Sequence, residues 1–95
     1  MSFQEYVIEH DAVKTYGKES QLIVAIEELS ELTKELTKSL RGENNVDHIS
    51  EEMADVHIML DQLHIIFKNC DAVKDWKRKK LERLRERLHN SSSDE

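Results

Sequence analysis

Residues 27–31 read EELSE, and residues 51–55 read EEMAD. Each motif places two acids three positions apart, Glu28 with Glu31 and Glu52 with Asp55. On a helix, residues at this spacing lie on one face, one above the other. The two motifs flank the turn-forming segment GENNVD at similar distances. Two helices folded back on each other at this turn would therefore direct four carboxylates to one place.

The sequence around the motifs predicts the two helices of this hairpin. One helix is expected over residues 18–40, where leucine, isoleucine and alanine recur at helical spacing, with Gly42 just beyond its end as a C-terminal cap. The next is expected over about 47–69, with an apolar stripe from Ile49 to Phe67. Both acid pairs border the apolar stripe of their helix instead of lying opposite to it.

Two further helices are predicted outside the hairpin. Residues 2–15 form the first, with Ser2 as its N-cap and Gly17 after its end. Asp71 is the expected N-cap of the fourth, which extends to about His89. The chain is thus predicted to be all-α and four-helix bundle-like, with residues 1–90 as a single domain and residues 91–95 as a flexible polar tail.

Composition limits the class of protein further. The chain has 95 residues, no proline and only five Phe, Tyr or Trp residues, so a single copy has a thin core, and stabilisation by oligomerisation is expected. One cysteine, Cys70, permits no intramolecular disulfide, which favours a reducing compartment. No signal peptide or membrane-spanning stretch is visible, so we expect a cytoplasmic protein without a membrane partner.

Charge is unevenly distributed along the chain. Residues 74–87 contain eight Lys or Arg against three acids, a local charge of +5, whereas the whole chain carries −6. Such a separation suits a site that holds a cation and a polyanion together. It argues against nucleic-acid binding, for which a basic domain is typical.

Four converging carboxylates predict a bound cation. Two like charges about 4 Å apart repel by roughly 4 kcal/mol at an effective dielectric constant near 20, so the fold needs protons or a cation between them. Ligation by oxygen alone selects a hard ion, Mg²⁺ or Mn²⁺. An ion whose other ligands are water and phosphate is a phosphoryl-transfer site, so the residues predict a metal-dependent enzyme acting on phosphates.

The segments QLIVAIEELSEL and ISEEMADVHIML resemble the signature of the MazG-like family of all-α nucleoside triphosphate pyrophosphohydrolases. The resemblance covers residues 16–63, and its pattern is EExxE followed by EExxD on neighbouring antiparallel helices. It implies hydrolysis of a (deoxy)nucleoside triphosphate to the monophosphate and pyrophosphate by attack of water on the α-phosphorus. It also implies an active site near subunit contacts, and hence a homodimer or homotetramer. The metal-ligand role that it implies falls on Glu28, Glu31, Glu52 and Asp55.

The resemblance suggests roles for two further groups of residues. Glu27 is the candidate for the carboxylate that orients or deprotonates the attacking water. The family has a lysine-rich segment after the third helix that grips the phosphates. The corresponding basic residues here recur at spacings of three and four on one helix face: Lys77, Lys80, Arg83 and Arg87.

Other interpretations remain open from the sequence. Acid pairs three apart also arise by chance in a chain with 36% charged residues, and a non-enzymatic helical oligomerisation module explains the composition equally well. A phosphoribosyl-ATP pyrophosphohydrolase is a rival enzyme. His57, Asp61 and His64 share the spacing of a second, zinc-binding site, but histidines on the flank of a helix are usually solvated or hydrogen-bonded, and we expect that here. Trp76 is expected in the core, with stacking on a base as the alternative.

Overall fold

The computed structural model of the chain describes the backbone of residues 1–93 and the side chains of residues 1–91. It contains four helices: α1 (Phe3–Tyr16), α2 (Lys18–Leu40), α3 (Val46–Phe67) and α4 (Cys70–Ser93). No strand occurs in these residues, so the predicted all-α class is confirmed. None of the helices in this part of the chain is both long and apolar enough to cross a membrane.

The two ends of α1 are set by local interactions of residues that can be recognised in the sequence. Ser2 Oγ accepts a hydrogen bond from the backbone N–H of Glu5, and the Glu5 carboxylate accepts one from the N–H of Ser2, each at 3.1 Å. This capping box confirms Ser2 as the N-cap of α1. Gly17 separates α1 from α2 with a φ of +92°, a conformation that side-chain-bearing residues rarely adopt.

The turn between α2 and α3 is held by a buried asparagine. Gly42 follows the end of α2 with a φ of +91°, as expected for a glycine beyond a helix C-terminus. The Nδ2 of Asn45 donates to the backbone carbonyl of Glu35 at 2.9 Å and to its carboxylate at 3.0 Å. The bond from Asn45 is the main reason that the pKa of Glu35 is lowered. These bonds tie the start of α3 to the last turns of α2.

The beginning and end of α4 differ from the prediction. Lys68 ends α3 in the left-handed conformation, and α4 begins at Cys70. Asp71 is therefore not an N-cap but an acid in the first turn, where its negative charge interacts favourably with the positive end of the helix dipole. The helix continues to Ser93, so residues 91–93 of the predicted tail are helical, and residues 94–95 lie outside the described residues.

Three of the four helices pack together. The α2–α3 hairpin is the main contact, and α1 lies against both of its helices, whereas α4 packs along none of the other three in the described part of the chain. The radius of gyration is 17.0 Å, with extents of 55 × 36 × 23 Å. A compact domain of this length has a radius of about 12 Å. The chain is thus a three-helix body with an extended fourth helix.

The body has a small core in which polar groups take an unusual share. Its buried hydrophobic side chains, among the described residues, are Val13, Ala25 and Met59. Beside them, Gln21 Nε2 donates to Gln62 Oε1 at 2.6 Å, and Gln62 Nε2 donates to Glu9 Oε1 at 2.8 Å. All three residues of this polar chain are buried, and each comes from a different helix. The polar chain therefore connects α2, α3 and α1.

Candidate metal centre

The structure brings together three of the four acids predicted as metal ligands. Glu28 from α2 and Glu52 and Asp55 from α3 each offer a carboxylate oxygen, and these oxygens all lie within 4.8 Å of one another. All three residues are partly buried. The packing of α2 against α3 brings the two motifs into contact, as the hairpin hypothesis predicted.

The register of the hairpin explains why these acids meet. On α2, Glu28 follows the buried Ala25 by three residues, and on α3, Asp55 precedes the buried Met59 by four. Each acid thus lies on the face of its helix that packs against the other helix. The bonds from Asn45 to Glu35 join the start of α3 to the last turns of α2 and restrict how far one helix can slide along the other.

The carboxyl of Glu28 has strongly altered acidity. Burial, above all, and then the charge of Asp55, a hydrogen bond to it, and the charge of Glu52 raise the pKa of Glu28 from 4.5 to about 7. Burial penalises the charged form, and two neighbouring carboxylates penalise it again. Without a cation, the cluster therefore holds a proton on Glu28 at slightly acidic pH.

One oxygen of the cluster lacks any partner. Glu52 Oε2 is buried and makes no hydrogen bond. A buried carboxylate oxygen left unpaired costs free energy that a donor or a cation would recover. The ligand atoms are all carboxylate oxygens, the set that Mg²⁺ and Mn²⁺ prefer. The residues present therefore fit a hard divalent cation.

Two predicted site residues of α2 lie outside this group. Glu31 is one turn beyond Glu28 on the same face, is exposed, and is not one of the three acids whose oxygens converge. Glu27 is also exposed, 100° round the helix from Glu28. Both are close to the cluster along the chain, and neither has an oxygen in the converging group.

The four predicted phosphate-binding residues lie on the extended helix. Lys77, Lys80, Arg83 and Arg87 are exposed on one face of α4, which does not pack beside the acids of its own chain. None of the four forms an ion pair with another described residue. In contrast, Arg78 pairs with Asp75 at 3.2 Å on the opposite face, and Arg85 pairs with Glu82.

The structure also bears on two other sets of residues that the sequence singled out. Trp76 is 56% exposed, with Lys79 Nζ 5.1 Å from the centre of its ring, so its predicted place in the core is wrong for the single chain. His57, Asp61 and His64 do not bring their ligand atoms together in the described part of the chain.

The polar chain was missed by the sequence reasoning. A signal for one member was visible: Gln21 occupies a position of the apolar repeat of α2, four residues before Ala25. Glu9 carried no such signal, since α1 has little apolar periodicity. Loss of water around its carboxyl raises the pKa of Glu9, as do the charges of Asp61 and Glu5, while the bond from Gln62 acts in the opposite direction.

No protein-family model matches the chain, and neither does any curated protein or solved structure. The likeness to MazG-like enzymes therefore rests on the two acidic motifs, and the function has to be argued from the site.

Proposed function

We propose that the protein is an Mg²⁺-dependent nucleotide pyrophosphohydrolase that converts a (deoxy)nucleoside triphosphate to the monophosphate and pyrophosphate. The observation that carries the proposal is the convergence of Glu28, Glu52 and Asp55 within 4.8 Å across the hairpin. The buried Oε2 of Glu52 supports it, because this oxygen has no hydrogen-bond partner and a bound cation would supply one.

The proposed ligands are Glu28, Glu52 and Asp55, with Glu31 as the fourth from its place on the same face of α2. Magnesium held there, or Mn²⁺ in its place, would neutralise the charge of the triphosphate and polarise its phosphoryl oxygens. At neutral pH the Glu28 carboxyl, whose pKa is about 7, would release its proton when the ion enters.

Water is the nucleophile in the proposed reaction. A bond forms between the water oxygen and the α-phosphorus, the bond from that phosphorus to the α,β-bridging oxygen breaks, and pyrophosphate leaves. Glu27 is the proposed base that orients the water and accepts its proton, because its exposed carboxylate immediately precedes the proposed ligand Glu28 in the chain.

The basic face of α4 is the proposed phosphate grip. Lys77, Lys80, Arg83 and Arg87 are exposed and have no acidic partner among the described residues, so their charge is available to an anionic ligand. Because α4 does not pack beside the acids of its own chain, we assign this role within a homo-oligomer, in which α4 of one copy approaches the acids of another. A cytoplasmic location belongs to the same proposal.

The test is release of pyrophosphate from each common NTP and dNTP, with Mg²⁺ and with a chelator. Glu52→Gln and Asp55→Asn are expected to reduce the rate by about 100-fold or more while leaving helical content unchanged, because each removes a ligand oxygen. Glu51→Gln is the matched control: it lies in the same motif, is exposed, is outside the cluster, and is expected to retain nearly full activity.

The opposite result would favour the non-enzymatic helical module. No pyrophosphate from any substrate, together with a melting temperature indifferent to Mg²⁺, would remove both the reaction and the ion from the proposal. Release of pyrophosphate that survives the chelator would keep the reaction and reject the metal centre.

A further inference from the structure

A cleft opens where α1 and the end of α3 meet the first residues of α2 and α4. Its volume is about 860 Å³, and pockets that bind small molecules in proteins measure roughly 300–1,000 Å³. The cleft lies apart from the acid cluster: on α3, His64 at the cleft is about 13 Å beyond Asp55 along the helix axis. We call this cavity, which is lined by residues from 6–18 and 64–70 and by Met1, the end cleft.

The inner wall of the end cleft is apolar. Val13 of α1 is buried, and Ile65 and Ile66 of α3 are partly buried. Tyr6 and His10 add an aromatic pair on α1, with ring centres 5.7 Å apart. The aliphatic side chains offer no hydrogen bond, so this wall suits the hydrocarbon part of a ligand.

The outer rim of the end cleft is positively charged. Lys14, Lys18 and Lys68 contribute to it from α1, from α2 and from the residue after α3, and all three are exposed. None of them forms an ion pair with an acid among the described residues. No Asp or Glu of this part of the chain lines the cleft, although the whole chain carries −6. The rim therefore attracts an anion locally in a protein that repels anions on average.

Two junctions at the same end of the three-helix body bring these lysines together. Gly17, with a φ of +92°, connects α1 to α2 directly before Lys18. Lys68 itself adopts a φ of +51° between α3 and α4. Because α1 and α3 both end at this end of the body and α2 begins there, residues far apart in the chain surround one opening.

We propose that the end cleft binds an anionic amphiphile, a molecule with a hydrocarbon body and a carboxylate or phosphate head. The hydrocarbon body lies against the apolar wall, and the lysines of the rim hold the head. A nucleotide fits less well, because the polar edges of a base find few hydrogen-bonding partners along aliphatic side chains. This binding depends neither on the proposed reaction nor on the metal, and its test uses no activity measurement.

The test is isothermal titration calorimetry with sodium decanoate, kept below its micelle concentration. A chelator is present so that no metal at the acid cluster can bind the carboxylate. Saturable binding with a single ligand per chain is expected. Octanoate is expected to bind about 10-fold more weakly than decanoate, because fewer CH₂ groups are buried. Absence of saturable decanoate binding overturns the proposal.

Three further ligands separate the contributions of body and head. Decanol lacks the charge and inorganic phosphate lacks the hydrocarbon, so each is expected to bind at least about 10-fold more weakly than decanoate. If decanol binds as tightly as decanoate, the head is not recognised and the proposal is wrong. Decyl phosphate is compared with decanoate, and the tighter of the two identifies the head that the rim prefers.

Two sets of variants at equal net charge locate the binding. Changing the three lysines of the rim together to Gln is expected to weaken decanoate binding at least about 10-fold. The matched control changes three exposed lysines outside the cleft to Gln and is expected to bind as the wild type does: Lys34, Lys74 and Lys79. All these side chains are exposed, so both sets are expected to keep the helical content. Equal decanoate affinity in the two sets contradicts the proposal.

Cys70 provides a second readout in the unchanged chain. Its thiol is free and exposed, and it lines the end cleft. Saturating decanoate is expected to slow alkylation of this thiol by iodoacetamide several-fold, because the ligand covers it. The control is Cys70→Ser combined with Thr37→Cys, which places the thiol near the other end of the hairpin, where decanoate is expected to leave the rate unchanged. An alkylation rate of Cys70 that decanoate does not alter would place the ligand elsewhere and contradict the proposal.

Discussion

At the scale of single residues, the carboxyl of Glu28 controls the state of the acid cluster. Its pKa is raised from 4.5 to about 7, first by burial and then by Asp55 and Glu52. Between these two values the folded chain keeps a proton on Glu28 that the unfolded chain has released. Folding therefore binds protons in this range, so the free energy of unfolding falls as the pH rises from about 4.5 to about 7.

This linkage predicts a difference between two neighbouring substitutions. In the presence of a chelator, the free energy of unfolding of the wild type is expected to decrease between pH 5 and pH 7.5, measured by urea denaturation. Glu28→Gln cannot ionise, so its decrease is expected to be smaller. Glu27→Gln, one residue away and exposed, is expected to keep the decrease of the wild type. If the free energy of unfolding depends on pH equally in all three proteins, the pKa of Glu28 is not raised by folding and the prediction is wrong.

At the scale of elements, the polar chain from Gln21 through Gln62 to Glu9 connects all three helices of the body. Gln62 is its centre, since it accepts from Gln21 at 2.6 Å and donates to Glu9 at 2.8 Å. Buried polar groups specify a particular arrangement because any other arrangement leaves them without partners. We infer that the polar chain sets how α1 lies on the hairpin.

Removing the central glutamine is expected to lower the free energy of unfolding substantially. Gln62→Ala leaves the Gln21 amide and the Glu9 carboxyl buried without their partner, so the free energy of unfolding is expected to fall by about 2–4 kcal/mol. The exposed Gln4 provides the control, and Gln4→Ala is expected to change stability by less than about 0.5 kcal/mol. Urea denaturation measures the free energy of unfolding of both variants. A decrease that is equally small in both would mean that water replaces the bonds lost in Gln62→Ala.

At the scale of the whole molecule, positive charge is concentrated on the helix that leaves the body. Residues 74–87 carry +5 and the complete chain −6, and α4 packs along no other helix of the described chain. The positive side chains of α4 lie on two faces, which differ in whether acids pair with them. On one face Arg78 and Arg85 are engaged by acids, while the other presents Lys77 and Arg87 to solvent.

The two faces can be compared at equal net charge. Changing Lys77, Lys80 and Arg87 together to Gln is expected to raise the KM for a nucleoside triphosphate at least about 10-fold, because the proposed phosphate contacts are lost. Changing Lys74, Arg78 and Arg85 to Gln removes the same charge from the opposite face and is expected to change KM much less. Equal effects would indicate long-range attraction without a specific phosphate site.

Much of the fold could be predicted from local features of the sequence. Ser2 with Glu5, Gly17 and Gly42 mark helix ends, and each acts through a hydrogen bond or a backbone conformation within a few residues. The start of α4 was misplaced because the left-handed Lys68 leaves no characteristic residue type in the sequence. The convergence of Glu28, Glu52 and Asp55 could be predicted from the spacing of the two motifs about a turn.

The sequence by itself determined the four helices, the hairpin turn and the acids that meet across it, because helix propensity, capping and the period of 3.6 residues are local properties. Only the tertiary structure decided that Glu31 stays outside the cluster, that α4 leaves the body, and that Glu9, Gln21 and Gln62 are buried together. These outcomes depend on how whole helices pack. Packing is set by the burial of many side chains at once, which no short stretch of sequence contains.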